Sequence, residues 1–395
     1  MKQSGKLAVL GAGPIGIEAA LRAIEKGYDV AVYEAGGVGQ HLRQWEHVPL
    51  FTPWKLNRSA LGERRLRRQG VELAPAESCP TGGQYRRQYL EPLAQSLSGE
   101  VDYHLQTEVL GISRKEKLKG DQIGEEQRAS SAFLLRVKGP AGLRFDEADI
   151  VVDATGVLSQ PNALGPGGLP AIGEEALNGE ILRQIPDLHD EVLSAELEGQ
   201  RILVVGHGYS ALTSLDRLQE LHQRDPATEI LWAFRVDDEP RAVIDEDPLP
   251  ERARLDRFGN AAARGELEGI TPISQAMVRR FEVTNEGLNV DLQCGAETRT
   301  IQVDRVIANV GYRPDTSLYR ELQVHLCYAS DGPMKLAATL LGASSADCLN
   351  QPTSGADTLE NPEPDFYILG AKSYGRNSNF LLRTGFAQLD TLFGT

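Results

Sequence analysis

Three glycines near the start, Gly11, Gly13 and Gly16, stand in the order G-x-G-x-x-G, with Ala12, Pro14 and Ile15 between them. The chemistry this spacing serves is the holding of phosphate by backbone. Gly11 permits a tight turn, Gly13 lets a pyrophosphate approach the main chain, and Gly16 lets a helix pack close to a strand. The phosphates then meet the free N–H groups and positive dipole end of that helix. A second loop of the same form, Gly206-His207-Gly208-Tyr209-Ser210-Ala211, carries Ala211 in the place of Gly16. Each loop is followed by a charged residue, Glu34 after the first and Arg235 after the second. A carboxylate there bonds ribose hydroxyls and repels a 2′-phosphate, whereas an arginine accommodates one. The first loop is therefore expected to hold a dinucleotide with a free ribose, and the second to prefer NADPH. An exposed arginine just past a strand end is the alternative reading of Arg235.

Such loops need a strand before them and a helix behind them. Residues 6–10 (KLAVL) read as a short buried strand, 17–26 as a helix ending at Gly27, and 28–34 (YDVAVYE) as the next strand. Residues 201–205 (RILVV), 212–222 and 229–235 (EILWAFR) repeat that order. A repeat of the whole strand–loop–helix–strand unit carries more weight than either glycine loop alone.

The composition fits. A chain of 395 residues suggests two or three domains. Its 41 Lys+Arg against 56 Asp+Glu give a net charge of −15, which argues against nucleic acid or an anionic membrane as partner. The 40 glycines show no collagen period, so they are expected at turns and close backbone approaches. Cys79, Cys294, Cys327 and Cys348 are widely spaced, with no CxxC and no Cys/His cluster. No metal site or disulfide framework is expected, and a reducing cytoplasm fits. No apolar run is long enough for a membrane span. The stretch 7–20 loosely mimics a signal peptide, but Pro14, Gly16 and Glu18 interrupt it.

At this point the sequence resembles the flavoproteins with two dinucleotide-binding domains, thioredoxin reductase-like enzymes and flavin-containing monooxygenases among them. Further pieces fall in that family's order. Residues 149–156 (DIVVDATG) look like the strand and A-T-G turn that closes the first FAD segment, with Thr155 and Gly156 at the cofactor. Residues 305–314 (RVIANVGYRP) look like the matching strand and turn, with Gly311 in the family's glycine position. Residues 366–370 (FYILG) look like the last FAD-domain strand, ending at Gly370. The family often places an aspartate after that glycine; here Ala371 and Lys372 follow, so Lys372 is expected near the flavin or its phosphate. In such folds the closing helix, 380–393, faces the flavin with its N-terminus.

The resemblance implies an α/β fold: two Rossmann-like three-layer dinucleotide-binding domains, the NADPH domain inserted into a split FAD domain. The expected boundaries are 1–160 for the first part of the FAD domain, 161–305 for the NADPH domain and 306–395 for the second part of the FAD domain. It implies FAD and NADPH as cofactors, with Gln40 in the stretch 36–54 wrapping the flavin. Val109, in the first segment of a β-meander at 105–112, 132–138 and 143–146, counts among the cofactor contacts. Pro14, Ile15, Tyr209 and Ser210 do so through their loops. Trp45 and Trp54 read as core fillers or neighbours of the ring. The charged stretch 114–131 reads as a solvated loop, and the run Arg64, Arg65, Arg67, Arg68 as a solvated helix face or an anion site.

The reaction is less determined. Hydride transfer from a nicotinamide to a flavin asks the protein for alignment. A monooxygenase would then shield the reduced flavin from water. The Gly206-x-Gly208-x-Ser210-Ala211 loop suits that branch, yet its F-x-G-x-x-x-H signature is missing. A disulfide reductase would need a reactive thiol; the first loop has Pro14-Ile15 where some relatives carry cysteine, and Cys79 is a lone candidate. The expectation is an NADPH-dependent, FAD-containing oxidoreductase acting on a small molecule, monooxygenase-like. The alternatives are a reductase of a disulfide, quinone or other small acceptor, and a non-catalytic flavin-binding redox sensor. His41, His47 and Tyr374 are possible polar neighbours of the flavin. No catalytic acid or base is assigned, and the oligomeric state is left open.

Overall fold

The computed structural model describes residues 4–342 apart from 178, 238 and 286, together with residue 349 and residues 355–394; Cys348 lies outside them. The apolar run Lys6–Leu10 forms strand β1, and the helix Pro14–Glu25 follows it. Proline opens that helix at a position whose N–H would have no intrahelical partner in any case. Strands β2 (Asp29–Tyr33) and β3 (Val101–His104) come next. Then β4 (Glu108–Arg114), β5 (Phe133–Gly139) and β6 (Gly142–Ala148) form an antiparallel meander, and β7 (Ile150–Asp153) closes the series.

The main sheet runs Phe366–Ile368, β7, β1, β2, β3, every pair parallel. A parallel strand between two covering layers must be apolar on both faces, and β1 is. Leu7 and Val9 pack with Ile17 and Leu21 of the helix layer, while Ala8 and Leu10 pack with Phe133, Leu135 and Val137 of the meander. The layers are thus helices, parallel sheet and antiparallel sheet. Trp54 is buried in the helix-side core, with Trp45 packed against it.

The second unit repeats these layers. It holds β8 (Ile181–Leu182), β9 (Arg201–Val205), β10 (Glu229–Ala233), β11 (Ile270–Ile273), a meander β12 (Ala276–Thr284), β13 (Gly287–Cys294) and β14 (Glu297–Val303), and β15 (Arg305–Ala308). Its parallel sheet runs β11, β10, β9, β15, β8. Ile202 and Val204 face Leu212, Leu215 and Leu218 of the helix Tyr209–Arg224. Leu203 and Val205 face Val278, Val290 and Ile301 of the meander. This second meander was not anticipated from the sequence.

By its contacts the chain divides into Met1–Gln160 with Tyr312–Thr395, and Pro161–Gly311. The second boundary therefore falls at 311/312 and not at 305/306. The reason is pairing: β15 lies between β9 and β8 and completes the second sheet.

The stretch 114–131 also departs from expectation. Arg114 and Arg128 are buried, and both reach the fully buried Glu363. The Arg114 Nε–H donates to Glu363 Oε1 at 2.7 Å and the Arg128 Nε–H at 3.0 Å. Arg128 Nη1 also donates to the carbonyls of Leu118 and Asp121, at 3.0 and 2.9 Å. Two arginines that look solvated in a charged segment are core residues. The other basic run behaves as a surface face: it lies on the helix Ala60–Arg68, where Arg65 pairs with Glu100 and Arg67 with Glu63. Among the described residues no helix is long and apolar enough to cross a membrane.

Candidate functional site

Both glycine turns are built by the same contacts. At the first, the Gly11 N–H donates to the Tyr33 carbonyl at 2.7 Å, and the Ala154 N–H donates to the Leu10 carbonyl at 2.9 Å. At the second, Gly206 donates to Ala233 at 3.0 Å and Asn309 to Val205 at 2.9 Å. Gly11 has φ +94° and Gly206 φ +123°, a region that disfavours side chains. A Cβ on Gly11 would lie 2.8 Å from the Ala154 carbonyl oxygen, and one on Gly206 2.3 Å from that of Asn309. Each turn is thus pressed against the strand end beside it.

Gly13 and Gly208 are the N-caps of the two helices, and neither cap is satisfied by a side chain. A Cβ at either would meet nothing within 4 Å. The helix N–H groups therefore open onto space that a pyrophosphate can fill, which is the fit a dinucleotide requires. The third position differs. A Cβ on Gly16 would sit 1.9 Å from the Gly11 carbonyl oxygen, so the first helix comes close to its turn, while the second carries the buried Ala211 there.

Glu34 ties the first turn together. Its Oε2 accepts from the Ala12 N–H and its Oε1 from the Gly36 N–H, each at 2.8 Å. Each carboxylate oxygen keeps a second lone pair for a ribose hydroxyl. The stretch before Val109 runs alongside: Gln106 donates to the Gly36 carbonyl at 3.0 Å and Thr107 to that of Glu34 at 2.8 Å. Val109 itself is half-buried and packs against the sheet–meander core. Gln40 is exposed at the rim, beginning the short helix Gln40–Trp45, and the Gly39 N–H donates to the Ala12 carbonyl at 3.0 Å. Ile15 is seated between two glycines: a Cβ on Gly370 would be 3.1 Å from it and one on Gly385 2.4 Å.

Lys372 is placed inward. Its ammonium donates to Asp153 Oδ2 at 2.6 Å and to Thr155 Oγ1 at 3.0 Å, with the Lys372 and Asp153 side chains both at 0% exposure. The lysine's visible role is to hold the 153–156 turn, whose Thr155 hydroxyl also donates to Asp153 Oδ1 at 2.7 Å. Gly156, at φ +73°, follows directly. Gly370 is fixed by a residue the sequence reading missed. The buried Gln388, on the helix Leu382–Phe393, accepts from the Gly370 N–H and donates to Ser373 Oγ, each at 2.9 Å. Gly311 belongs to the second unit, where its carbonyl accepts from the Asn162 N–H at 3.0 Å.

In the second turn Tyr209 and Ser210 open the helix Tyr209–Arg224. Arg235 is exposed just beyond β10. It and Arg241 both act on His207 in the glycine turn: burial first, then these two guanidinium groups, push the imidazole below its ordinary pKa. Arg241 is a further missed residue. Its guanidinium lies 4.0 Å over the Tyr209 ring and donates to the buried Asp256 at 2.8 Å. Trp232 pins the same turn, donating from Nε1 to the Gly206 carbonyl at 2.7 Å.

Glu34→Ala is expected to leave the Ala12 and Gly36 N–H groups without their acceptor as well as removing a ribose ligand. The purified variant should elute with a lower flavin-to-protein absorbance ratio than the parent. An unchanged ratio after dialysis would refute the assignment.

Comparison with known proteins agrees with this architecture. Residues 5–332 match the family described as pyridine nucleotide-disulphide oxidoreductase. A curated relative, dihydrolipoyl dehydrogenase of Staphylococcus aureus, is 22% identical over 319 residues, covering 78% of this chain. The match spans only 57% of that relative's length. Bacillithiol disulfide reductase of Bacillus cereus superposes with a TM-score of 0.71 at 19% identity, over 99% of this chain and 98% of that one. Thioredoxin reductase of Lactococcus lactis gives 0.61 at 15%, over 99% and 97%. Ornithine N-hydroxylase of Kutzneria sp. 744 gives 0.59 at 16%, over 99% and 98%. At such identities these likenesses show the fold.

Proposed function

The chain belongs to the pyridine nucleotide-disulphide oxidoreductase family, whose cofactors are FAD and a nicotinamide nucleotide, and we propose that it is an NADPH-dependent flavoprotein serving a small-molecule acceptor. The observation that carries this reading is the asymmetry between two otherwise matching turns. One is completed by the carboxylate of Glu34, bonded to the turn itself. The other has Arg235 exposed just beyond β10 and Arg241 over the Tyr209 ring, and the charges of both act on His207. FAD is assigned to the first and NADPH to the second.

When bound, the nicotinamide supplies a hydride and the flavin accepts it. The chain's own residues bind and orient. Helix N-termini behind Gly13 and Gly208 would hold the two pyrophosphates, Glu34 the adenosine ribose of FAD, and Arg235 the 2′-phosphate of NADPH. Gln388 and the Lys372–Asp153 pair fix the backbone of the 370 and 153–156 turns.

For the acceptor we favour direct delivery to a small molecule, without a relay through a protein dithiol. Among the described residues Cys79, Cys294 and Cys327 form no disulfide, and the first turn has Pro14-Ile15. Reduction of a low-molecular-weight disulfide, a quinone or a similar acceptor fits the family. Monooxygenation is the second reading, favoured by the Gly206-x-Gly208-x-Ser210-Ala211 loop. Anaerobic addition of NADPH to the yellow protein should bleach the visible flavin band, and NADH should do so more slowly. Recovery of colour on adding a disulfide or quinone supports the reductase. Recovery with oxygen in place of those acceptors, together with transfer of one oxygen atom to an added organic substrate, supports the monooxygenase. No bleaching by either nucleotide would refute both.

A further inference from the structure

A cavity of about 430 Å³ lies wholly within the unit made of Met1–Gln160 and Tyr312–Thr395. None of its residues belongs to either glycine turn. Lys119, Arg313 and Arg320 line it, together with Gln160, Thr316 and Ser317. The single carboxylate in the lining is Asp315. Three cations thus face one acid, in a chain whose net charge is −15.

Two features separate this from an ordinary basic surface. First, neither the Arg313 nor the Arg320 guanidinium has a hydrogen-bond or ion-pair partner among the described residues. Elsewhere the arginines commonly meet carboxylates, as Arg22, Arg86, Arg252 and Arg254 do. Second, the walls are fixed. The Arg313 N–H donates to the Gln160 carbonyl at 2.9 Å. The Lys119 ammonium donates to the Arg320 carbonyl at 2.8 Å. Gln323 Nε2 donates to the carbonyls of Lys119 and Asp121, at 2.8 and 3.0 Å. The segment bearing Lys119 is held in turn by Arg128 on Glu363. Tyr319, 3% exposed, gives the cavity an apolar side with Val324 and Leu326.

We propose that this cavity binds a small organic polyanion through its phosphate or carboxylate groups. Planar guanidinium forks match both oxyanions, and the Thr316 and Ser317 hydroxyls supply further donors. The volume lies within the range of small-ligand sites, and the apolar side can take the carbon skeleton of such a ligand.

The test is calorimetric titration of the FAD-loaded protein, with NADP⁺ saturating, using citrate in one arm and pyrophosphate in the other. Binding of one equivalent in either arm is expected. Binding of citrate alone marks a polycarboxylate site, and binding of pyrophosphate alone a phosphate site. The double variant Arg313→Gln/Arg320→Gln should weaken that binding at least roughly tenfold, as loss of two charge-assisted contacts implies, and should keep its FAD. Arg235→Ala should bind the probe as the parent does. No binding in either arm, equal affinity in the double variant, loss of FAD from it, or a matching loss in Arg235→Ala would each overturn the proposal. This outcome is independent of NADPH bleaching.

Discussion

Glu363→Ala is expected to lower the stability of the first unit by about 3–5 kcal/mol, the cost of leaving buried charge uncompensated. The carboxylate is fully buried and serves two arginines that are themselves buried, Arg114 and Arg128. Its Oε2 also accepts from the Gln323 N–H at 2.8 Å. At about 2–4 °C per kcal/mol for units of this size, differential scanning calorimetry should show one transition moving down by roughly 10 °C. A transition belonging to Pro161–Gly311 should stay in place. Replacing all three charged residues together with apolar ones of similar volume should cost less than the single change, because no charge is then stranded. A shift of under ~2 °C in the single variant would contradict this account.

Arg235→Ala should weaken NADPH by about 10–100-fold, the worth of a hydrogen bond to a charged group, and leave NADH little changed. Arg235 is exposed beyond β10, and removing it strands no partner seen in the structure. The measurement is the dissociation constant of each nucleotide from anaerobic flavin-reduction rates. Equal losses for both nucleotides would refute the 2′-phosphate assignment. Arg241→Ala should behave differently. Its guanidinium offsets the carboxylate of Asp256, which is 1% exposed, so a fall in stability should accompany any change in affinity.

What could be read from the residues alone was what is local in the chain. Strand, glycine turn, helix and charged end follow one another without interruption; Gly16 answers to a contact a few residues away and Gly13 and Gly208 to open space, whereas Gly11 and Gly206 answer to the distant strand ends at Ala154 and Asn309. The β12–β14 meander went unnoticed because its outward positions are so polar, as in the exposed run of β14. The boundary at 311/312 was misplaced because strand order in a sheet is not sequence order: β15 comes last but pairs in the middle. Composition misled at 114–131, where the partner of Arg114 stands 249 residues away. A separation of 219 residues likewise hid Lys372 on Asp153, and a shorter one of 18 hid Gln388 on Gly370. For Lys372 the position in the chain was informative, while the direction of its side chain depended on a carboxylate that only the fold supplies.

The divided first unit has a consequence for how the protein is made. Residues 161–311 form a continuous unit, so a ribosome finishes it while the first unit still lacks the strand Phe366–Ile368 and the carboxylate of Glu363. During that interval β7 has a bare edge where this strand will pair, and Arg114 and Arg128 have no counter-ion. The earlier part of the chain must wait, partly open, for its own ending, with the late-emerging Glu363 closing contacts across more than two hundred residues. Such long-range closure is slow to form, and an open strand edge invites pairing with other chains. Nascent chains stalled before residue 363 would therefore be the aggregation-prone species, and the inserted unit the first to become protected from protease.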